Sequence, residues 1–460
     1  MMVKKALWAV LACLLCCSLA VFAACGGDVE GNDDNNNNNN GGDNNNETVA
    51  VTDITLNADT LTLEADGTAV LTATVAPANA TDKTVSWTVA DDNAEEEVIS
   101  LSAATGESVT VTAVAAGTAT VTAASGDASA ACTVTVSDMT VDSAEDLADA
   151  VADEANEGKI IAVSASVESA LDISADNVTL VAADSDVEFS GAVTVSGTGV
   201  TLSGITVSTD EAIVPVTATG EGLTLINCTV ERTTESAPAY GYLVSANNGT
   251  FTAKNCTFIA PYDPETAFEA SPSVIEATGG VDLDGCTIMT DGYGFFSQHV
   301  TKGTVKDTTF TGIDGRPTLG CLNSTLFDGI VFDGCTFDMG ENSTVAAGSF
   351  TFRNCVFNFE NTPEDGAGNA ISVYMQTGNI VIEDNVFNLR EGARGVNLTW
   401  ADWAAGDHDA SKVTIEGNTF NGTGACTIRI TNVWTNVPED QYAGNTFNGN
   451  SVIVEPATEA

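Results

Sequence analysis

Hydrophobic and polar positions alternate along most of the chain after residue 50, which predicts strands rather than helices. In DTLTLEADGTAVLTATVAP, residues 59–77, Thr alternates with Leu or Val, and turn signals at Asp66-Gly67 and Pro77 interrupt the alternation. Short strands separated by such turns are typical of an all-β sandwich of about 90 residues. We therefore expect a sandwich over residues 49–138.

A short amphipathic segment follows the predicted sandwich. Ser143 and Asp146 have the spacing of a helix N-terminal cap. Leu147, Ala148, Ala150 and Val151 then give one apolar face, Gly158 is the expected end of the helix, and a strand is expected to begin at residue 160. We expect this helix to cover the first open edge of the region that follows.

A repeat dominates the chain from there to its C-terminus. The stretch FRNCVFN (352–358) has relatives such as LINCTVE (225–231), FDGCTFD (332–338) and IEGNTFN (415–421). Alignment on the Cys or Asn of each unit gives ten units at intervals of 20–33 residues. The aligned position is occupied by Ile205, Cys228, Cys256, Cys286, Thr308, Cys335, Cys355, Asn385, Asn418 and Asn445.

Three further features of the repeat describe a stack of coils. The residue before the aligned position is always Gly, Asn or Asp, the residues that tolerate a left-handed backbone at a sharp bend. The positions three before and two after are apolar in every unit, so both should face inward. Self-similar units of this length predict a solenoid, and the pattern resembles the right-handed parallel β-helix of the pectin-lyase-like class. Its domain is expected to span residues 139–460.

The aligned Cys and Asn residues are interpreted as scaffold. Stacked coils would bring like residues together about 4.8 Å apart, so Cys would act as a small apolar filler and Asn would bond along the stack. Parallel Cβ vectors fit a disulfide poorly, and the column has no His for a mixed metal site, so we expect free thiols and no metal. This structural ladder comprises Cys228, Cys256, Cys286, Cys335, Cys355, Asn385, Asn418 and Asn445.

The first 48 residues indicate export and anchoring. MMVKK is a basic start, an apolar run follows, and small residues precede Cys25. The sequence Phe22-Ala23-Ala24-Cys25 resembles the lipobox of bacterial lipoprotein signal peptides, which implies cleavage after residue 24 and a lipidated Cys25. An uncleaved membrane anchor is the alternative. Residues 25–48 are rich in Asn, Asp and Gly, which predicts a disordered tether. The expected location is therefore extracytoplasmic, with Cys25 as the membrane anchor.

The charge of the chain limits its partners. Its 64 acidic and 14 basic residues give a formal net charge of −50. No basic footprint exists for nucleic acid, and polyanionic ligands would be repelled. Neutral or cationic partners are expected instead, such as glycans or other surface proteins. The acidic surface would attract Ca²⁺, but no motif supports a calcium site, and we expect no cofactor.

The predicted sandwich carries motifs of a known domain. Val85-Ser86-Trp87, the Gly-Thr-Ala-Thr-Val strand at 117–121 and the Cys-Thr-Val-Thr-Val strand at 132–136 resemble group 2 bacterial immunoglobulin-like domains. That resemblance implies a cell-surface stalk, an adhesion domain or a spacer. Cys132 is expected to be a buried thiol.

Candidate chemistry is sparse. The pectin-lyase-like class includes polysaccharide lyases and hydrolases, but the Gly-His-Gly loop of the hydrolases is absent and the chain has two histidines. A weaker aromatic group surrounds His299 in DGYGFFSQHV. The late segments offer indole faces for sugar stacking and polar groups for sugar hydroxyls, although the same Trp residues could cap the last coil. The candidate glycan-binding residues are Trp400, Asp402, Trp403, Asp407, His408, Arg429 and Trp434.

These features lead to one expected function and two alternatives. We expect a lipid-anchored surface protein that is all-β, with non-catalytic adhesion or glycan binding by an elongated scaffold. A polysaccharide lyase or glycoside hydrolase with an unfamiliar site is the first alternative. A purely structural surface element is the second.

Overall fold

The structure is a computed structural model of the chain, and the residues it describes begin at Thr48. They are residues 48–91, 97–210, 213–234, 241–262, 273–296, 299–313, 320–323, 327–338, 344–359, 369–390, 393–398, 409–422, 428–430, 442–448, 450–451 and 454–456. Cys25 and the predicted signal and tether lie outside this set.

A β-sandwich occupies the N-terminal part of the described chain. Its core contains Leu71, Trp87, Val111, Val121 and Val134, the inward members of the alternating pattern. Cys132 is also fully buried in this core. One sheet contains, in spatial order, β1 (Asp53–Leu56), β3 (Thr68–Ala76), β6 (Ser108–Ala113) and β5 (Ile99–Leu101), and the other contains β2 (Thr60–Glu64), β8 (Ala128–Ser137), β7 (Gly117–Ser125) and β4 (Ser86–Asp91).

A short helix covers the first coil, as the capping signal predicted. Helix α1 (Ala144–Ala152) begins after Ser143, whose Oγ accepts the Asp146 N–H at 3.1 Å, and it buries Leu147 and Val151. Ala148 is exposed. The predicted end at Gly158 was wrong, because the Asp153 carboxylate accepts the Ala155 N–H at 2.9 Å and starts a separate 3-10 helix, Glu154–Asn156. Gly158 follows that turn with φ +74°.

Stacked coils form the rest of the molecule, and each complete coil contributes strands to three faces. Strands pair in parallel with the same face of the next coil, so the fold is a β-helix, as the repeat predicted. The first-face strands precede the bend: β9 (Met139–Val141), β10 (Ile160–Val163), β12 (Thr179–Ala182), β15 (Thr201–Ser203), β18 (Thr224–Ile226), β21 (Phe251–Lys254), β24 (Val281–Asp284), β27 (Gly303–Lys306), β30 (Phe327–Asp333), β32 (Thr344–Arg353), β34 (Asn369–Glu383) and β37 (Val413–Glu416).

The second face follows the bend and is one continuous sheet. Its last strand pairs antiparallel with the strand before it, which ends this face as a hairpin. Its strands are β13 (Glu188–Phe189), β16 (Thr206–Thr209), β19 (Thr229–Arg232), β22 (Thr257–Ala260), β25 (Thr287–Thr290), β28 (Thr309–Thr311), β31 (Thr336–Asp338), β33 (Val356–Phe359), β35 (Val386–Leu389), β38 (Thr419–Gly422), β40 (Thr446–Phe447) and β41 (Asn450–Ser451).

The third face starts as a five-stranded sheet and continues into strands that share a sheet with the first face. In the later coils, β32 and β34 serve both faces as single long strands. The five-stranded sheet contains β11 (Leu171–Ile173), β14 (Val193–Val195), β17 (Val216–Ala218), β20 (Val244–Ala246) and β23 (Ile275–Glu276), and the later strands are β26 (Tyr293–Phe296), β29 (Gly320–Asn323), β36 (Arg394–Leu398), β39 (Ile428–Ile430) and β42 (Val454–Pro456).

The bend residues adopt the left-handed conformation that the sequence predicted. All ten have φ between +46° and +73°, including the non-glycine residues Asn227, Asp307 and Asn354. The apolar columns on both sides of the bend are buried in every coil except the last, where Tyr442 and Phe447 are partly buried. Phe rings stack along the core, with centroids of Phe357 and Phe387 4.7 Å apart. The bend therefore sets which residues enter the core.

Candidate functional site

The aligned Cys and Asn residues lie in one buried column behind the bends. Asn385, Asn418 and Asn445 bond to one another: the Nδ2 of Asn385 donates to Oδ1 of Asn418 at 2.9 Å, and Nδ2 of Asn418 donates to Oδ1 of Asn445 at 2.9 Å. Each amide also donates to a backbone carbonyl of the preceding coil, such as Ile382 O from Asn418 at 2.8 Å. These bonds satisfy the buried amides, so this part of the column is a scaffold element.

In the earlier coils, a Cys thiol lies where the Asn side-chain amide lies in the later coils, beside the same backbone carbonyl position. The Sγ of Cys286 lies 3.3 Å from Ala253 O, and that of Cys335 lies 3.2 Å from Val305 O, the carbonyls that an amide would meet in those coils. The Cys228 N–H donates to Cys256 Sγ at 3.4 Å. Because the neighbouring Cys228 and Cys286 thiols bond to it and burial disfavours a charge, the pKa of Cys256 is raised. Cys256 therefore carries little thiolate, the reactive form.

Of the seven predicted glycan-binding residues, the structure describes Arg429. Trp400, Asp402, Trp403, Asp407, His408 and Trp434 lie outside the described residues. The backbone of Arg429 lies in β39, in register with Asn397 of β36 and Glu455 of β42.

Of the three residues in register, Asn397 is a buried polar residue. It points away from the core, since Val396 and Leu398 on either side of it are core residues, yet it is 6% exposed. Among the described residues, its Oδ1 has no hydrogen-bond donor. A buried amide oxygen without a partner is unfavourable, so this position is one that a donor would stabilise.

Asp409, which follows the candidate residues Trp400 to His408 in the chain, is bonded to the coil stack. The buried Gln376 side chain holds the Asp409 backbone in both directions: its Oε1 accepts the Asp409 N–H at 2.7 Å, and its Nε2 donates to Asp409 O at 3.1 Å. The Asp409 carboxylate accepts the Ser411 hydroxyl at 2.6 Å and lies 3.6 Å from Lys412 Nζ. The Ser411 bonds, reinforced by Lys412, lower the pKa of Asp409.

A polar row runs along the outer side of the five-stranded sheet. One outward residue from each strand is in register with the next, and each lies between two inward apolar residues. Neighbouring strands are about 4.8 Å apart, so the row is a regular line of oxygen atoms. We call it the outer row, and it comprises Asp172, Thr194, Thr217, Ser245 and Glu276.

The end of the outer row meets a histidine and a tyrosine. The Ser245 hydroxyl donates to Glu276 Oε2 at 2.6 Å, while Glu276 Oε1 lies 3.7 Å from His299 Nδ1. The Tyr242 hydroxyl lies 2.8 Å from the same Nδ1, with the two rings edge to face at 5.1 Å. We call Tyr242, Ser245, Glu276 and His299 the row-end cluster.

Burial changes the pKa of the His299 imidazole in this cluster. Partial desolvation lowers the pKa of His299, and the negative charge of Glu276 opposes that shift. The neutral imidazole is therefore favoured at neutral pH, with Nδ1 able to accept from the Tyr242 hydroxyl. The side chains of His299 and Glu276 remain 19% and 21% exposed, so both are reachable from solvent.

A buried arginine bonds to the backbone next to the cluster. The guanidinium of Arg232 donates to the carbonyls of Thr234 and Gly241 at 3.3 and 3.2 Å, and to Pro261 O at 3.3 Å. It lies 5.0 Å from the centre of the Tyr262 ring. Gly241 directly precedes Tyr242, so these bonds fix the backbone that presents the phenol.

The sandwich has a shallow pocket of about 330 Å³ between its edge strands. Trp87, Ile99 and Leu101 contribute to its lining, with Asp91 and Glu97 also among its residues. The Trp87 indole N–H donates to Gly106 O at 2.8 Å and its ring belongs to the core. This Trp is a structural residue of the sandwich.

The structure agrees with the sequence motifs of residues 49–138. Two four-stranded sheets form a sandwich there, and Trp87 and Cys132 are buried in its core. Residues 50–136 match the bacterial Ig-like domain (group 2). This Ig-like domain is of a group that occurs in extracellular bacterial proteins. No curated protein matches the chain significantly. Among the described residues, no helix combines the length and hydropathy needed to cross a membrane.

The row-end cluster was largely missed by sequence reasoning. His299 was noted for its aromatic neighbours, but Tyr242, Ser245 and Glu276 lie 23 to 57 residues before it. A signal was nevertheless present. The strands β14, β17, β20 and β23 have an aliphatic residue, a polar residue and a second small or aliphatic residue, followed within a few residues by Gly, as in VTATG, VSANNG and IEATGG. Aligning that pattern would have identified the outer row from Thr194 to Glu276.

Proposed function

We propose that the protein is a lipid-anchored cell-surface protein whose coil stack binds glycans without cleaving them. The observation that supports it best is the outer row, a line of hydroxyl and carboxylate oxygens at the spacing of the strands. Sugar hydroxyls are recognised by such convergent polar groups on a preformed surface. Lipidation of Cys25 would hold the protein at the membrane, and the tether and the Ig-like domain would carry the coil stack outward.

A second contact area is proposed at the late coils. Trp400 and Trp403 would stack on sugar rings, with Arg429 and Asp402 bonding hydroxyls. The Oδ1 of Asn397, in register with Arg429, has no partner among the described residues and favours a bound donor group in that region. Asp407, His408 and Trp434 complete the proposed surface.

Binding is favoured over catalysis by the composition of the row-end cluster. Glycoside hydrolysis needs two carboxyl groups on either side of one bond. Among the described residues, the row-end cluster contains one carboxylate, Glu276, and no arginine.

The test is a glycan array combined with polysaccharide digestion, performed on the full chain in detergent. We expect binding without release of sugar ends, reduced by Ser245→Ala with Glu276→Gln and separately by Trp400→Ala with Trp403→Ala. Release of unsaturated or reducing ends would overturn the non-catalytic assignment. Absence of any glycan binding would favour a structural surface element.

Anchoring has its own test. Cells expressing the chain would be labelled with a radioactive fatty acid and fractionated. We expect label in the wild-type protein and none in Cys25→Ser, with the variant lost from the membrane fraction. Label that persists in the Cys25→Ser variant would contradict lipidation at that residue.

A further inference from the structure

The Glu276 carboxylate is partly covered, and no cation of the described chain neutralises it. One oxygen, Oε2, accepts the Ser245 hydroxyl at 2.6 Å. The other, Oε1, is 3.7 Å from His299 Nδ1, beyond hydrogen-bond length. The ion pairs of the described lysines and arginines involve other carboxylates, such as Asp284 with Lys306 and Asp333 with Arg353.

The exposed Lys302 follows His299 by three residues, and in the described structure it forms no ion pair with Glu276. Residues 235–240 and 263–272, which precede Tyr242 and follow Tyr262, read ESAPAY and DPETAFEASP and contain neither Lys nor Arg. The chain as a whole carries a formal charge of −50. A partly desolvated carboxylate in such a field is stabilised by an incoming cation and strongly disfavours an incoming anion.

The histidine beside it does not repel a cation at neutral pH. Burial favours its neutral form, and the Tyr242 hydroxyl lies against Nδ1 at 2.8 Å. Beyond Ser245, the outer row continues with the Thr217 and Thr194 hydroxyls. Glu276 therefore lies at one end of a line of neutral hydroxyl groups, and Asp172 lies at the other end.

We infer that the row-end cluster binds the ammonium group of an amino sugar within a polysaccharide that lies along the outer row. This inference rests on the proposed glycan-binding function and names its ligand class. Glu276 accepts from the ammonium group, while Ser245 and the threonines bond the hydroxyls of adjoining units. An ammonium–carboxylate bond is a charge-assisted hydrogen bond, stronger than the bonds of neutral hydroxyls.

The test compares three oligosaccharides of equal length: glucosamine, N-acetylglucosamine and galacturonate oligomers. Binding to the full chain in detergent would be measured by calorimetry at physiological salt, which screens general attraction to the acidic surface. We expect the glucosamine oligomer to bind about tenfold or more tighter than the acetylated one, since one charged hydrogen bond contributes about 1.5–3 kcal/mol. The galacturonate oligomer should not bind.

The chain contains a matched control for Glu276. Asp172 lies in the same outer row four strands away and accepts the Ser196 hydroxyl at 3.3 Å. Glu276→Gln should abolish the preference for glucosamine, whereas Asp172→Asn, with the same change of charge, should retain it. Ser245→Ala keeps both carboxylates and should weaken binding of both oligomers. Thermal melting of each variant would show that it is folded.

Each other outcome overturns the inference in a distinguishable way. Equal binding of the glucosamine and acetylated oligomers would leave glycan binding intact and reject the amino sugar. Equal losses in Glu276→Gln and Asp172→Asn would indicate general charge attraction. Polylysine bound with the same dependence on Glu276 would indicate a protein partner instead. No binding of any oligosaccharide would reject both the inference and the proposed function at this face.

Discussion

Asn385 and Asn418 are 33 residues apart in the chain, and the backbone N–H and the side-chain amide of Asn385 both donate to Oδ1 of Asn418, at 3.0 and 2.9 Å. The Asn418 amide in turn donates to Ile382 O and to Asn445 Oδ1. One side chain thereby joins three consecutive coils. Because its oxygen accepts from a backbone N–H, the orientation of the amide is fixed by its surroundings.

Replacement of Asn418 by Leu should destabilise the coil stack strongly. Leu keeps the branched shape but leaves the Asn385 N–H, Ile382 O and Asn445 Oδ1 without this partner in a buried site. We expect a loss of about 3 kcal/mol or more, at about 1–3 kcal/mol for each unsatisfied group. Urea unfolding followed by circular dichroism would measure it.

The control for Asn418 lies on the outside of the stack. Asn421 donates to Asn388 Oδ1 at 3.1 Å on the outer side of the second face, where it is only partly buried. Asn421→Leu should lose less than about 1 kcal/mol, since water can replace the bond. Equal effects of the two substitutions would contradict the role assigned to the buried column.

Cys355 should accept replacement by Asn. Its Sγ lies 3.6 Å from Phe332 O, and its N–H donates to Asn385 Oδ1 at 2.8 Å, the same contacts that the asparagines make one coil later. We expect Cys355→Asn to change the free energy of unfolding by less than about 1 kcal/mol, because the new amide finds partners in place. Chemical denaturation of the variant and the wild type would be compared.

Cys132 provides the contrasting case. It is fully buried in the core of the Ig-like domain, where burial raises the pKa of its thiol to about 11. Cys132→Asn should lower the free energy of unfolding by about 2–4 kcal/mol, because the new amide is buried there without the stacked Asn partners that the coil column provides. Similar effects at positions 132 and 355 would show that the column has no special capacity for amides.

The bend at Asn227 should reject β-branched residues. Its φ is +52°, where side chains branched at Cβ are strained. Asn227→Val should destabilise by about 1–2 kcal/mol or more, and Asn227→Gly should have little effect. Thermal melting of both variants checks this, and a Val variant as stable as the Gly variant would show that the bend conformation is not required.

Protonation of His299 should weaken the fold. Its pKa is lowered in the folded state, so the unfolded chain takes up the proton more readily. The stabilisation is therefore complete above the unfolded pKa of about 6.5 and is lost as pH falls from that value through the lower pKa of the folded state. Between pH 7.5 and 5.5, we expect His299→Gln to show a smaller loss of stability than the wild type. NMR titration would give the pKa, with His408→Gln assigning the two histidine resonances, and an unshifted His299 would contradict the prediction.

The repeat could be predicted well because its signals are local. The bend residue, the apolar columns and the aligned Cys or Asn lie within seven residues of one another in every unit, so each unit displays the pattern alone. The predicted end of α1 was wrong because the Asp153 side chain caps a separate 3-10 turn. Hydrophobic spacing does not encode such local side-chain capping.

The row-end cluster could not be predicted in the same way. The proximity of Tyr242 and His299 depends on the length of each corner segment between coils, and those lengths vary from unit to unit. A sequence fixes which residue follows which within a coil. Which residues of different coils become neighbours follows only from the strand register.

The connection between the Ig-like domain and the coil stack has a mechanical consequence. Strand β8 ends at Ser137 and β9 begins at Met139, with Asp138 between them held by Ile160 in both directions at 2.8 Å. Strand β8 also pairs in parallel with β2, near the other end of the domain sequence. Tension applied between residue 49 and the coils would therefore draw two parallel strands past each other along their length. Their hydrogen bonds would resist together in shear rather than open one at a time. The domain would therefore stay folded up to a high force and then unfold in one step.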